Sequence, residues 1–161
     1  MRYFYDCEFG RTAPDLTLVS IGVVSEDGRE YYGVSSEFDP LDVHPWVRDN
    51  VLPQLPPASA WRPRSVLRTE LADFLGAEPA LWAWYGAYDH VALCQLWGAM
   101  PELPRAIPRF TLDVRQLWEH LGRPSLPTQT SGRHDALADA HHVQACWEVL
   151  AERAYRLGLS V

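Results

Sequence analysis

The chain has 161 residues and a formal net charge of −7, and 47% of its residues are hydrophobic, including 7 Trp, 7 Tyr and 5 Phe. This apolar content excludes disorder, and the length predicts one domain over residues 1–161. No apolar run approaches the roughly 20 residues that span a bilayer. The acidic balance argues against an electrostatic coat on nucleic acid, which requires a basic face.

The first part of the chain predicts three strands in an antiparallel meander. Residues 2–9 form the first strand. Residues 16–24 and 30–38 are β-rich arms around the turn "SEDGRE", whose Asp-Gly pair is a strong hairpin signal. A proline-rich segment at 40–63 follows, with a short helical stretch, "HPWVRDNVLPQL", between its prolines.

The second part of the chain alternates helices and strands. Apolar residues at helical spacing predict a helix over 63–77, and the apolar run 80–86 predicts a buried strand. A helix over 87–98 comes next, then a strand and a helix within 109–122, and a long helix over 135–159. This order predicts an α/β fold whose mixed sheet is antiparallel in its first three strands, then parallel, with helices on its faces.

Cysteine spacing and local charge narrow the function further. Cys7, Cys94 and Cys146 are far apart and form no CxxC pair, which argues against a disulfide framework or a zinc site and predicts a cytoplasmic protein. The segment 102–133 holds more arginines than acids, so a substrate polyanion could be met there despite the negative total charge. Its arginines are Arg105, Arg109, Arg115, Arg123 and Arg133.

Four acidic residues are predicted to meet at one edge of the sheet. Asp6 and Glu8 are two residues apart in "FYDCEF", so their carboxylates share one strand face and Cys7 points to the other. Asp89 lies at a strand-to-helix junction, and Asp139 lies in the first turns of the last helix. Adjacent carboxylates oppose each other's ionisation. Oxygen-only clusters bind hard cations such as Mg²⁺ or Mn²⁺, and two such ions can clamp a phosphodiester.

The acids lie in three ordered motifs, "DCE" (6–8), "AYD" (87–89) and "HDALAD" (134–139). These motifs resemble those of the DEDDh 3′–5′ exonuclease family, which includes ribonuclease T, oligoribonuclease and proofreading subunits. The flanks "VSIGVVSEDGREYYGVSSEFDP" and "LWAWYGAYDHVALCQLWG" are most similar to the compact ribonuclease-T-like exoribonucleases of actinobacteria. The resemblance implies a ribonuclease-H-like fold and a two-metal 3′–5′ exoribonuclease that hydrolyses single-stranded RNA to nucleoside 5′-monophosphates.

The resemblance also assigns roles to residues. It implies that two Mg²⁺ or Mn²⁺ ions are held by Asp6, Glu8, Asp89 and Asp139. It makes His134 the general base, which suits a side chain whose unperturbed pKa is about 6.5. Tyrosine-type relatives have a Tyr where this chain has Asp135, so the histidine class fits, and Asp135 is predicted to cap the last helix.

The residues that contact the substrate nucleotides are harder to identify from the sequence than the acids and the base. Phe9 and Tyr88 adjoin the acids and are candidates for base stacking, and Arg133 is a candidate for a substrate phosphate. After the first motif many relatives have a Thr-Gly pair, whereas this chain continues with Phe9–Arg11. Many relatives also have an Asn at the position of Tyr85. These two differences leave the residues that recognise the nucleotide open. By contrast, a set of tryptophans at core-like spacing is predicted to pack in the core: Trp82, Trp84, Trp97, Trp118 and Trp147. Ribonuclease T is a dimer that combines one subunit's site with the other's basic patch, so a homodimer is a further expectation.

Alternatives to this function remain open from the residues alone. Each acid by itself could be a solvated strand or helix residue, and a D-x-E pattern occurs by chance in many proteins. The chain could act on single-stranded DNA, or it could be a non-catalytic module that keeps the fold and binds a nucleotide or a protein. An internal-cutting nuclease of ribonuclease H type has a different pattern of acids.

Overall fold

A five-stranded mixed sheet forms the centre of the computed structural model, which describes residues 1–12 and 15–161. The strands are β1 Arg2–Arg11, β2 Thr17–Ser25, β3 Glu30–Val34, β4 Ala80–Ala83 and β5 Leu112–Asp113. Their order is β3-β2-β1-β4-β5, antiparallel among the first three and parallel along β1, β4 and β5. The predicted α/β mixed sheet is confirmed, while the ribonuclease-H-like assignment and the single domain stay predictions.

The predicted helices are present with shorter bounds. They are α1 Pro45–Asn50, α2 Arg64–Leu75, α3 Ala87–Gln95, α4 Val114–His120 and α5 Ala136–Arg156. Short 3₁₀ turns lie at Leu52–Gln54, Ala58–Ala60 and Met100–Glu102. Helix α5 begins at Ala136 because the Asp135 side chain accepts the backbone N–H of Ala138, as predicted for an N-cap. It ends before Gly158, whose φ of 72° is left-handed.

Two strands are shorter than predicted, for identifiable reasons. The expected strand 80–86 ends at Ala83, since the chain turns at once into α3 through Tyr85 and Gly86. A Cβ on Gly86 would lie 2.9 Å from Thr111 Cγ2, so this close approach requires glycine. The expected arm 30–38 ends at Val34: the N–H of Ser35 still donates to Val19 of β2, but the N–H of Ser36 donates to Arg62 instead.

The two sheet faces bury separate cores. Tyr3, Tyr5 and Cys7 of β1 pack with α2 and α3, which confirms Cys7 as a core residue. Phe4 faces the other way and packs with α4 and α5, together with Trp82. Trp147 borders this second core and Trp97 the first, as predicted for packing residues. Trp84 and Trp118 also border the second core, but both line a surface groove as well.

The amino-terminal end of α5 lies directly on the sheet. Gly22 of β2 pairs with Asp6 of β1, and a Cβ on Gly22 would lie 2.3 Å from backbone atoms of Ala136. Only a residue without a side chain permits this approach. The start of α5, which carries the acidic motif, is therefore placed beside Asp6.

Two further expectations concern the bilayer and the cysteines. Within the described ranges, no helix has both the length and the apolar character that a bilayer crossing requires. The three cysteines carry free thiols, as their spacing predicted.

Candidate active site

Asp6 and Glu8 project from β1 on the face that carries α5. They alternate with Tyr5 and Cys7, whose side chains fill the opposite core, so the two carboxylates share the face of Phe4. The register of β1 with β2 shifts directly after Glu8. Such bulges end regular pairing and are common beside active sites.

Asp89 occupies an opening at the edge of β1. Strand β4 pairs with β1 only as far as Phe4, opposite Trp82, so the edge of β1 beyond that point is left open by β4. Asp89, in the first turn of α3, fills this place: its Oδ1 accepts the backbone N–H of Cys7 at 2.8 Å, and it is only 5% exposed. The buried Asp89 carboxylate is thereby fixed to the backbone of Cys7, the residue between Asp6 and Glu8.

His134 and Asp139 are held together by the turn that enters α5. The backbone N–H of His134 donates to Asp139 Oδ2 at 2.9 Å, and the other carboxylate oxygen accepts from Gln129 Nε2. His134 has a φ of 67°, which is uncommon outside glycine and is often found at functional sites. One ligand atom each of Glu8, His134 and Asp139 lies within 4.8 Å of the others.

The electrostatics of this cluster are unfavourable without a cation. Burial raises the pKa of Asp6 well above its usual value, and the charges of Asp89, Glu8 and Asp139 raise it further. Burial, with the charges of Asp139 and Asp89, raises the pKa of Glu8 from 4.5 to about 8. Burial raises the pKa of Asp89 too, although the N–H of Cys7 lowers it in part. Asp6, Glu8 and Asp89 therefore resist ionisation in the protein alone.

The residues present fit hard divalent cations. The four acids supply oxygen donors only, which Mg²⁺ and Mn²⁺ prefer. Within residues 1–12 and 15–161, none of the ion pairs involves one of the four. In those pairs, therefore, no arginine or histidine competes with a metal ion for the four carboxylates.

The predicted substrate residues lie at two places beside the acids. Arg133, with Asp6, His134 and Asp139, lines a cavity of about 380 Å³, and its carbonyl accepts from Gln54 at 2.7 Å. The rings of Phe9 and Tyr88 lie 6.4 Å apart and contact each other. Tyr88 is largely exposed, and Phe9 lines a separate cavity with residues 10–12, 43–45 and 47.

Two residues of the site were missed by sequence reasoning. Gln129 bonds to Asp139 from a loop without periodicity, and nothing in its sequence surroundings signals this role. The Trp46 ring stands edge-on to the His134 ring at 4.6 Å, and nearly half of this residue is exposed. A tryptophan directly after a proline, within a proline-rich segment, is the one sequence signal that could have suggested a role for Trp46.

A part-buried chain of polar side chains connects β1 with α3 next to the acids. The Tyr5 hydroxyl lies 2.6 Å from Thr111 Oγ1, which lies 3.0 Å from His90 Nδ1. Tyr5 precedes Asp6, and His90 follows Asp89, so this chain ties together the two elements that carry these acids. His90, to which sequence reasoning assigned no role, is thus a supporting residue of the site.

Comparison with known proteins identifies a family for this chain. Residues 1–151 match the family model described as 3′–5′ exoribonuclease Rv2179c-like domain. Two curated proteins of Mycobacterium tuberculosis, 3′–5′ exoribonuclease Rv2179c of strain H37Rv and 3′–5′ exoribonuclease MT2234.1 of strain CDC 1551, are each 56% identical over 146 residues. Each match covers 87% of this chain and 87% of the relative. The chain therefore belongs to the Rv2179c-like 3′–5′ exoribonuclease domain family.

Proposed function

We propose that the protein is a 3′–5′ exoribonuclease of the DEDDh class, with a ribonuclease-H-like fold, that releases nucleoside 5′-monophosphates from single-stranded RNA. The family and the names of the relatives support the activity. The observation that carries the mechanism is the convergence of four acids and His134 beside the central strand β1, on the face that carries α5.

The four acids would hold two Mg²⁺ or Mn²⁺ ions. Those ions, when bound, supply positive charge that stabilises the attacking and leaving oxygens of the phosphodiester. The protein orients the carboxylates beforehand: Cys7 N–H fixes Asp89, and His134 N–H with Gln129 fixes Asp139. Preorganised ligands lose little freedom when the site is occupied, which favours binding.

His134 serves as the general base. Its ring lies beside Glu8 and Asp139, lines the cavity and contacts the Trp46 ring at a centroid distance of 4.6 Å. It accepts a proton from the attacking water, whose oxygen bonds to phosphorus while the 3′ oxygen of the preceding nucleotide leaves. The exposed face of Trp46 and the Phe9–Tyr88 pair are available to stack on bases.

The direct test uses single-stranded RNA and DNA labelled at the 5′ end, with Mg²⁺, with Mn²⁺ and with EDTA. We expect stepwise shortening of RNA from its 3′ end, lost with EDTA and in Asp89→Asn. The asparagine oxygen can still accept the Cys7 N–H, so this variant should remain folded. Glu148→Gln, on the exposed side of α5, is the control that removes one charge away from the site.

The other outcomes distinguish the alternatives. Faster shortening of DNA would make the protein a deoxyribonuclease, and an internal ladder would indicate an endonuclease. No cleavage under any condition would favour a non-catalytic binding module. His134→Ala should greatly lower the rate while metal binding, followed by calorimetry, is retained; loss of metal binding would make His134 a structural residue or a ligand instead of the base.

A further inference from the structure

A second groove adjoins the catalytic cavity and has a different chemical character. It has a volume of about 530 Å³ and shares Trp84, Gln129, Arg133 and His142 with the catalytic cavity. We call it the aromatic–arginine groove, defined by Trp84, Tyr85, Arg115, Trp118, Leu126 and Arg133. A chain that enters the catalytic cavity can therefore continue into this groove without leaving the protein surface.

The groove is built around one arginine. The Arg115 guanidinium lies 4.2 Å from the ring centroid of Trp118 and 6.0 Å from that of Trp84. Its Nε donates to the Tyr85 hydroxyl at 3.0 Å, and Glu119 pairs with its other side. These contacts fix a planar cation among three aromatic rings, an arrangement that suits stacking and phosphate contact together.

Tyr85 is placed in the groove against its own backbone preference. Its φ is 58°, in the left-handed region that bulky residues rarely adopt, and it is 62% exposed. An exposed ring gains little by burial, so packing does not account for this conformation. Such strain at an exposed position points to a role in contact with a ligand.

The charge of the groove favours a polyanion. Among the described residues that line it, two are arginines, Arg115 and Arg133, and none is acidic; Glu119, which pairs with Arg115, lies outside this lining and offsets part of that arginine's charge. This contrasts with the chain's total charge of −7 and with the carboxylates of the adjoining cavity. Arg109 is not part of this surface, since its guanidinium donates to the carbonyls of Leu103, Pro104 and Ile107.

We propose that the aromatic–arginine groove binds the nucleotides that precede the terminal one in a single-stranded RNA substrate. Tyr85 stacks on a base and Arg115, held over the Trp118 ring, contacts a phosphate, while the terminal nucleotide occupies the catalytic cavity. This inference rests on the proposed function, because it takes the 3′ end to be at the acids. It predicts that longer RNA is used better than a substrate without preceding nucleotides.

The test compares a hexanucleotide RNA with the p-nitrophenyl ester of uridine 5′-monophosphate, which has no preceding nucleotide. Tyr85→Gly removes the ring and keeps the left-handed backbone, and Arg115→Gln removes the charge. We expect each variant to lower kcat/KM on the hexanucleotide by about 5- to 150-fold, with the ester changed less than twofold. Matched controls are Tyr155→Ala, an exposed tyrosine elsewhere, and Arg156→Gln, whose ion pair with Glu152 has the same spacing as that of Arg115 with Glu119.

Each outcome bears on the proposal. Equal losses on both substrates, or no loss on either, would overturn the groove while leaving the exonuclease assignment intact. If the wild type cleaves neither substrate, the proposed function fails. In that case fluorescence anisotropy of the labelled hexanucleotide tests the groove alone: weaker binding by Tyr85→Gly and Arg115→Gln supports it, and unchanged binding overturns it.

Discussion

Replacing Glu8 with glutamine should stabilise the metal-free protein while abolishing activity. The pKa of Glu8 is raised from 4.5 to about 8, chiefly by burial and then by the charges of Asp139 and Asp89. Because protonation favours the folded state, the free energy of unfolding is highest below pH 4.5 and falls as the pH rises from about 4.5 to about 8. At pH 7 about 2.5 pH units of this interval have been crossed, and each lowers the free energy of unfolding by about 1.4 kcal/mol, or about 3.5 kcal/mol before screening.

The expected gain from Glu8→Gln at pH 7 is therefore about 2–3 kcal/mol, after allowance for solvent screening at a half-buried group. For a chain of this size it corresponds to a rise in Tm of about 4–12 °C. The assay is urea or thermal unfolding in EDTA at pH 4.5 and pH 7, where the gain should nearly vanish at the lower pH. Added Mg²⁺ should stabilise the wild type more than the variant.

Glu148→Gln removes one negative charge from the exposed side of α5 and controls for the change in net charge. If Glu8→Gln were no more stable than this control in EDTA at pH 7, the cluster would not be electrostatically strained. The physical case for a cation site at these acids would then be refuted, whatever the activity of the variant.

Three structural variants give further predictions. Gly22→Ala places a Cβ 2.3 Å from the Ala136 backbone, so it should cost about 3 kcal/mol or more in urea unfolding; wild-type stability would contradict the close docking of α5. Asp135→Ala removes the N-cap of α5 and should cost about 1 kcal/mol by the same measurement. Thr111→Val cuts the polar chain between β1 and α3, so kcat should fall while KM for RNA stays similar; an unchanged kcat would make that chain irrelevant to the site.

The strands and helices could be predicted, because a hairpin turn and the spacing of apolar residues are both visible within a short stretch of sequence. The "SEDGRE" turn sets the first hairpin, and apolar spacing sets α2 and α5. Boundaries were less accurate where another part of the chain intervenes. The strand expected over 80–86 ends at Ala83, since the close contact of Gly86 with Thr111 redirects the chain.

The site was predictable in its residues but not in its geometry. Alternation along β1 places Asp6 and Glu8 on one face from sequence alone. The position of Asp89 depends on where β4 stops pairing with β1, and that is a property of the sheet. Gln129 could not be found, because its contact with Asp139 joins a loop to a helix without any periodic signal.

The sequence by itself determined the order of elements, the family motifs and which acids share a strand face. These depend on residue types at short spacing, which the local backbone converts directly into direction. Only the tertiary structure decided that Gly22 admits α5 to the side of Asp6, and that Tyr85, Arg115 and Trp118 form a groove beside the catalytic cavity. Gly22 and Ala136 are about 115 positions apart and Tyr85 and Arg115 are about 30 apart, so these two contacts are set by packing between elements and not by any pattern within one.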